Sequence, residues 1–450
     1  MKTTATSNGA VIARFIASAG TRSFPPEVVD AAKKCLVDWF GVALGAHQEP
    51  AAQAVRRLAQ KWAAPGQGRL LLGGTAAPAL AALVNGTAAH CLDYDDTHAA
   101  SLAHMSGPTW AAILALAGEA GLDGAQALAA FIAGFEVGGK VGGGGLGMAI
   151  TELGFHSTGV VGKLAATAGA CAALGLSEER IPHAIGLAAT QAGGLTASFG
   201  TMAKPFHAGK AAMDAILSAQ LSAEQFEAAT DLLDSDKGLA GTMVQDGSVR
   251  IGPLEFGEGR ELLQNAFKPY ACCMLTHSSV DAARQLAGQL NGAEVKRAAL
   301  TVDPLAVKRA GIANPQTPLE GKFSLAFCVA LGLNGHPAVA GDFSQARLQD
   351  PALRATAERV QINAVPAQAP DENLKAVLEI ELSDGRRLQA EVRHPLGNPE
   401  NPMGWSELAD KFMALVEPEL GGKSETLLNT LREFEQPGNI DRALELVAGG

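Results

Sequence analysis

The chain reads as a mostly α protein: a large all-α helical domain into which a smaller α+β domain is inserted. Three observations predict this. Apolar residues recur at intervals of three and four from Asn8 to about Gln264, one clear alternating hairpin follows at Ala376–Val392, and helical spacing returns from Trp405 to Leu446. The helical domain is therefore expected over 1–265 and 396–450, and the smaller, lid-like α+β domain over 266–395.

The elements follow in order. Pro25 and Pro26 open a segment in which Val28, Val29, Ala32, Cys35, Leu36, Phe40 and Ala43 share one helical face. Similar stretches run from Gly107 to Ala120, Gly124 to Val137, Thr158 to Leu174, Glu178 to Gln191 and Gly209 to Gln220. Gly121 and Gly175 stand where glycines end helices, and Ser177-Glu178-Glu179-Arg180 suits a cap. The run GGGGLG at 142–147 formally fits a dinucleotide fingerprint, but it follows helical sequence with no βαβ unit around it, so it reads as a flexible loop. Beyond Phe267, Val295–Val302 reads as a strand. Leu378, Ile380 and Leu382 alternate with glutamates, Ser383-Asp384-Gly385 turns, and Leu388, Ala390 and Val392 return. His394 to Pro402 is a proline-rich linker.

Of the 450 residues, 47% are hydrophobic and 18% charged, enough for a sizeable core but with little charge to cover a monomer's surface, so a homodimer is expected. The net charge of −11 and the lack of any basic run argue against nucleic acid and anionic membrane surfaces as partners. Apolar stretches such as Trp110–Gly118 are too short to span a bilayer, and Met1–Gly20, interrupted by Arg14, is no secretory signal; a cytoplasmic protein is expected. The six cysteines include no CxxC, which disfavours zinc and iron–sulfur sites and suits buried free thiols.

The densest chemistry lies in Asn85–His98, where His90, Asp93, Asp95, Asp96 and His98 fall within nine residues of a charge-poor chain. Carboxylates this close repel and must be exposed, paired or held by donors. One reading is a helix end, with Asp95, Asp96 and Thr97 capping the helix that carries Trp110. Another is a metal site, since Asp and His are suitable ligands. Four further segments stand out. In Gly154-Phe155-His156-Ser157-Thr158, Ser157 or Thr158 would cap the next helix and His156 would lie at its positive end, which favours a neutral imidazole. In Gly200–Gly209, Lys204 would sit in a Gly/Pro-bounded turn. Phe267-Lys268-Pro269-Tyr270, with His277 close behind, lies at the expected domain boundary, where clefts form. In Gly321–Phe327 (GKFSLAF), Phe327 reads as a core aromatic on a helix.

Asn85–Asp96 also resembles the signature N-G-x-x-A-H-x-x-D-[FY]-D-D of the MmgE/PrpD family, which includes 2-methylcitrate dehydratases, cis-aconitate decarboxylases and iminodisuccinate epimerases. The other segments resemble that family's motifs in the same order, and the resemblance covers nearly the whole chain. It implies a mostly helical fold with an inserted α+β domain, and a lyase or isomerase that needs no metal or other cofactor. It implies Asp93, His104, His156 and Lys268 as catalytic residues, and Thr97, Lys204 and the Phe327 position as substrate-binding ones; His277, close behind Lys268 at the expected boundary, is expected to bind substrate beside them. The implied substrate is a small di- or tricarboxylate. Removing a proton beside a carboxylate builds negative charge that clustered lysines and histidines would hold. His104 or His156 is the expected base, and Asp93 would orient a histidine. The first expectation is dehydration of a 2-methylcitrate-like compound; the alternatives are decarboxylation of cis-aconitate, epimerisation of an amino-polycarboxylate, or polycarboxylate binding without catalysis. The resemblance places a tyrosine facing the substrate in the decarboxylases where this chain has Phe327, which disfavours that reaction.

Overall fold

The computed structural model of the protein describes residues 7–369 and 372–448; the first six residues of the Met1–Gly20 stretch lie outside them. Two compact units emerge. The larger runs to Cys91, takes in Asp95–Ala266 and resumes at Gly404, while the smaller comprises Leu92–Tyr94 and Phe267–Met403.

The larger unit is helical, as its apolar spacing predicts. Its long helices are Pro26–Gly45, Pro78–Cys91, Ser106–Ala120, Gly124–Gly143, Ser157–Ala173, Ala203–Ala223 and Trp405–Leu420. Local chemistry sets their ends: Pro26 occupies a first-turn position, Asp123 and Gln126 form a capping box, and Gly121 ends its helix at φ 62°. Ser157–Ala173 is buried on nearly every side, among Gly124–Gly143, Ser106–Ala120 and Ala203–Ala223. The abundance of glycine and alanine permits this. A Cβ on Gly134 would stand 2.6 Å from Ala165 O, and one on Gly209 2.3 Å from Leu83 O.

Two details differ from the sequence reading. Strand pairing also occurs in this unit, where Thr97–His98 pairs antiparallel with Asn265–Ala266. Nor is the glycine run a flexible loop: Gly142 and Gly143 end one helix, Leu146–Glu152 is the next, and only Gly144 and Gly145 lie between them. Its glycines allow close approach, since a Cβ on Gly142 would come within 2.7 Å of Ser101 Cβ and one on Gly147 within 2.1 Å of Ser101 O.

The smaller unit holds a four-stranded sheet in the order Val360–Ala364, Val295–Val302, Ala376–Leu382, Arg387–Val392. The first pair is parallel and the others antiparallel. The strand at Val295 and the hairpin are both present, with Gly385 at φ 87° in the turn. Ala298, Leu300, Val302, Leu378, Ile380 and Leu382 share a core with residues of the helices His277–Ala287 and Leu325–Leu333. Among the described residues, no helix is long and apolar enough to cross a membrane.

Candidate active site

His90 lies in the last turn of Pro78–Cys91, and the chain then enters the acidic segment. Asp95 and Asp96 do not cap the helix that carries Trp110; that helix starts at Ser106 with Met105 as its N-cap. Both carboxylates are buried instead and each is held by donors. Asp95 Oδ2 accepts from His90 Nδ1 at 2.8 Å and from His104 Nδ1 at 3.1 Å. Burial opposes ionisation of Asp95, but His90 and His104 outweigh it and hold the carboxyl well below its usual range. An ionised Asp95 accepts only, so both histidines donate from Nδ1 and their Nε2 atoms face elsewhere. His90 Nε2 and Asp95 Oδ1 are buried with no hydrogen-bond partner among the described residues. Asp96 Oδ2 accepts from Ser106 Oγ and from Asn265 Nδ2 (2.6 Å). Burial and then the neighbouring Asp38 push the Asp96 carboxyl up to about 7.

Three imidazoles gather on this base. The His90 ring packs edge-on to His104, with centroids 4.6 Å apart, and is stacked on His156 at 5.6 Å with an interplanar angle of 17°. Thr97 Oγ1 lies 3.3 Å from His104 Nδ1, and the His104 backbone N–H donates to Thr158 Oγ1 at 3.1 Å. His156 is itself the N-cap of Ser157–Ala173, without a side-chain cap bond. The expected capping hydroxyls are used differently: Ser157 Oγ donates to Ser101 O at 2.6 Å, while Thr158 serves His104. Burial, with help from His90, Lys204 and His104, keeps the His156 pKa well below the ordinary histidine value. His156 Nδ1 also lies 3.0 Å from His207 Nδ1. Lys204 is not in a turn. It lies in the first turn of Ala203–Ala223, buried, with Nζ 5.4 Å from the centre of the Phe199 ring.

Within the smaller unit, Lys268 Nζ lies 3.0 Å from Asp93 Oδ1 and donates to Asp93 O, also at 3.0 Å. Both side chains are buried, and Asp93 holds a left-handed backbone at φ 51°. Lys322 donates to Leu92 O, and Tyr94 OH donates to Pro269 O at 2.8 Å. The His277 ring is fully buried, with Nε2 donating to Cys272 O at 3.1 Å and the Tyr270 ring edge-on at 5.2 Å. Phe327 borders a cavity of about 250 Å³ together with Ser324, Arg354 and Glu358.

The larger unit thus brings together Thr97, His104, His156 and Lys204, and the smaller one pairs Asp93 with Lys268. Sequence reasoning missed His90, Asp95 and His207 as members. The first two lay inside the quoted signature, and His207 stands three residues after Lys204. Among the described residues, ligand-type atoms of His90, Asp95 and His104 converge within 4.8 Å, a set able to hold a borderline cation. One carboxylate oxygen already accepts from both imidazoles, so a cation there would displace two charge-assisted hydrogen bonds.

Comparison with known proteins covers both units. Residues 10–251 match the MmgE/PrpD N-terminal domain and residues 270–435 the MmgE/PrpD C-terminal domain. A cis-aconitate decarboxylase of Aspergillus terreus is 26% identical over 90% of this chain and 88% of its own length. The cis-aconitate decarboxylase of Homo sapiens is 28% identical, over 80% of this chain and 77% of its own length. That of Mus musculus is 27% identical, over 75% and 71%.

Proposed function

The chain belongs to the MmgE/PrpD family, and from that premise we propose that it is a cofactor-free lyase of small tricarboxylates, with a cis-aconitate-like substrate that loses carbon dioxide. The observation that carries the lyase reading is the imidazole set built on Asp95: His90 and His104 share its carboxylate, and a neutral His156 stacks beside them. Such a set can take or give a proton at carbon near neutral pH. Lys204, buried in the same unit, supplies positive charge for a substrate carboxylate. The relatives' names favour decarboxylation over the dehydration expected first.

In this reaction the bond from carbon to the departing carboxylate breaks and its electron pair stays on carbon. The remaining carboxylates spread that charge. Lys204 and the hydrogen-bonded pair of His104 and Asp95 stabilise it, and His156 donates the proton that completes the product. Dehydration is the second reading, favoured by one observation: Phe327 brings no hydroxyl to the position where the family resemblance places a tyrosine in the decarboxylases. There His156 would take the proton beside the carboxylate instead.

Incubation with cis-aconitate, citrate and 2-methylcitrate in heavy water tests the proposal. Release of carbon dioxide with one deuteron fixed on product carbon supports it. Loss of water from a hydroxy acid without carbon dioxide would replace it by the second reading, and no turnover or exchange with any polycarboxylate would overturn both.

A further inference from the structure

His156 is nearly enclosed, at 3% exposure, whereas its partner His207 is only partly buried. Their Nδ1 atoms stand 3.0 Å apart. Two imidazole nitrogens at that distance form a hydrogen bond only when one carries the proton and the other offers its lone pair, so the two rings have linked tautomers. The contact is built on both sides. The backbone N–H of His156 donates to Gly194 O at 2.9 Å. Gly194, at φ 122°, lets the His207 ring close in, since a Cβ there would meet His207 Nδ1 at 3.1 Å and Cγ at 3.2 Å. The charged and titratable neighbours are Lys204 on the same helix as His207, His90 behind His156, and His104. All of them disfavour a lasting positive charge on His156.

We propose that His207 is the proton conduit between solvent and His156, a positioning residue that acts through His156 rather than on the substrate. This rests on the reading of His156 as the group that moves the carbon-bound proton. In the decarboxylation direction, the His156 Nε2–H bond breaks and its proton joins the substrate carbanion. The His207 Nδ1 proton passes to His156 Nδ1, and His207 Nε2 takes a proton from water. One proton enters from solvent and one leaves to carbon, and no heavy atom or electron pair changes owner between the rings. Proton abstraction runs the same transfers backwards, with His207 Nε2 releasing a proton to water. Between turnovers, water reaching the site exchanges the Nε2 protons and restores the starting tautomers.

The test is His207→Gln, assayed with cis-aconitate in a weakly interacting buffer and again with added imidazole. We expect kcat to fall by about 10- to 100-fold, up to the lower end of a full acid–base contribution because His207 acts through His156, with KM changed less than about twofold. Free imidazole should restore much of the loss. A variant with wild-type kcat, or a loss that imidazole never relieves, overturns the proposal. Should His207→Gln fail to fold, the wild-type rate in mixtures of light and heavy water decides instead: a curved dependence supports two protons moving together, and a straight line overturns the relay. If the wild-type enzyme turns over and His156→Gln does not, while His207→Gln is unimpaired, only this inference fails. If His156→Gln keeps full activity, the reading beneath it fails.

Discussion

Lys411 Nζ lies 2.6 Å from Asp38 Oδ1, and the other oxygen of that carboxylate accepts the backbone N–H of Asp96. Both side chains are buried, on Trp405–Leu420 and Pro26–Gly45. A helix from the returning end of the chain thereby neutralises the charge that steadies the signature loop.

Lys411→Met should therefore be costly. It strands a buried carboxylate, and breaking such a pair typically loses about 3–5 kcal/mol. Urea unfolding of the variant beside the wild type measures this; equal midpoints would show that the pair contributes nothing.

Asp96 gives stability a pH signature. Its carboxyl titrates near 7 in the fold, above the ordinary value of 3.8, so the folded state binds more protons than the unfolded chain across that interval. This contribution is present in full below about pH 4 and is lost as pH rises towards 7, at no more than about 1.4 kcal/mol per pH unit. Asp96→Asn removes the titration. The difference in unfolding free energy between variant and wild type should shift by that slope over this range, and a constant difference would refute the assignment.

His156→Gln should fold and lower kcat by about 10²-fold or more, with little change in KM. Because its pKa is held well below the ordinary 6.5, His156 stays neutral as pH falls past that point. A pH profile of kcat/KM should show no inflection near 6.5 attributable to it. The same depression makes stability fall as pH drops below about 6.5, since the unfolded chain then takes up a proton that the fold refuses.

The two lysines should separate by assay. Lys268→Ala removes the ammonium that is paired with the buried Asp93, so unfolding should become easier by about 3–5 kcal/mol. Lys204 stands against an aromatic ring, and Lys204→Ala should weaken substrate binding by about 1.5–3 kcal/mol, the worth of a charge-assisted contact. Wild-type affinity in Lys204→Ala would remove it from substrate binding.

Phe327→Tyr adds a hydroxyl to a residue that borders a cavity, so folding should be unaffected. If decarboxylation is the native reaction, the variant should release carbon dioxide at least as fast as the wild type. Decarboxylation that appears only in the variant would mean that the native reaction is another one.

Periodicity made the helices, the strand Val295–Val302 and the hairpin legible, because burial on one face imposes 3.6- and 2-residue repeats over many positions. Val360–Ala364 escaped notice because it is a short edge strand: only Val360 and Ile362 face the core, and both are only partly buried, while Gln361, Asn363 and Ala364 are exposed, so the alternation is too brief to stand out. At the site, residue type was readable but partnership was not. Ser157 and Thr158 are good cap types, yet tertiary contacts claim both hydroxyls and leave the cap position to His156. Asp95 outranks Asp93 beside the histidines for a reason no local pattern carries: the loop turns so that His90 and His104, fourteen positions apart, meet at one oxygen.

Ser101 O takes the hydroxyl of Ser157 on one side and faces Gly147 on the other at a separation that admits no side chain. Adding a single methyl at 147 must move that carbonyl, and with it the segment from Thr97 to His104 and the start of the helix behind His156. Gly147 bears no chemistry, yet it sets the tolerance to which two imidazoles are machined. Efforts to broaden or redirect the enzyme would therefore find adjustable screws in glycines such as Gly142 and Gly147 as well as in the residues that meet a substrate.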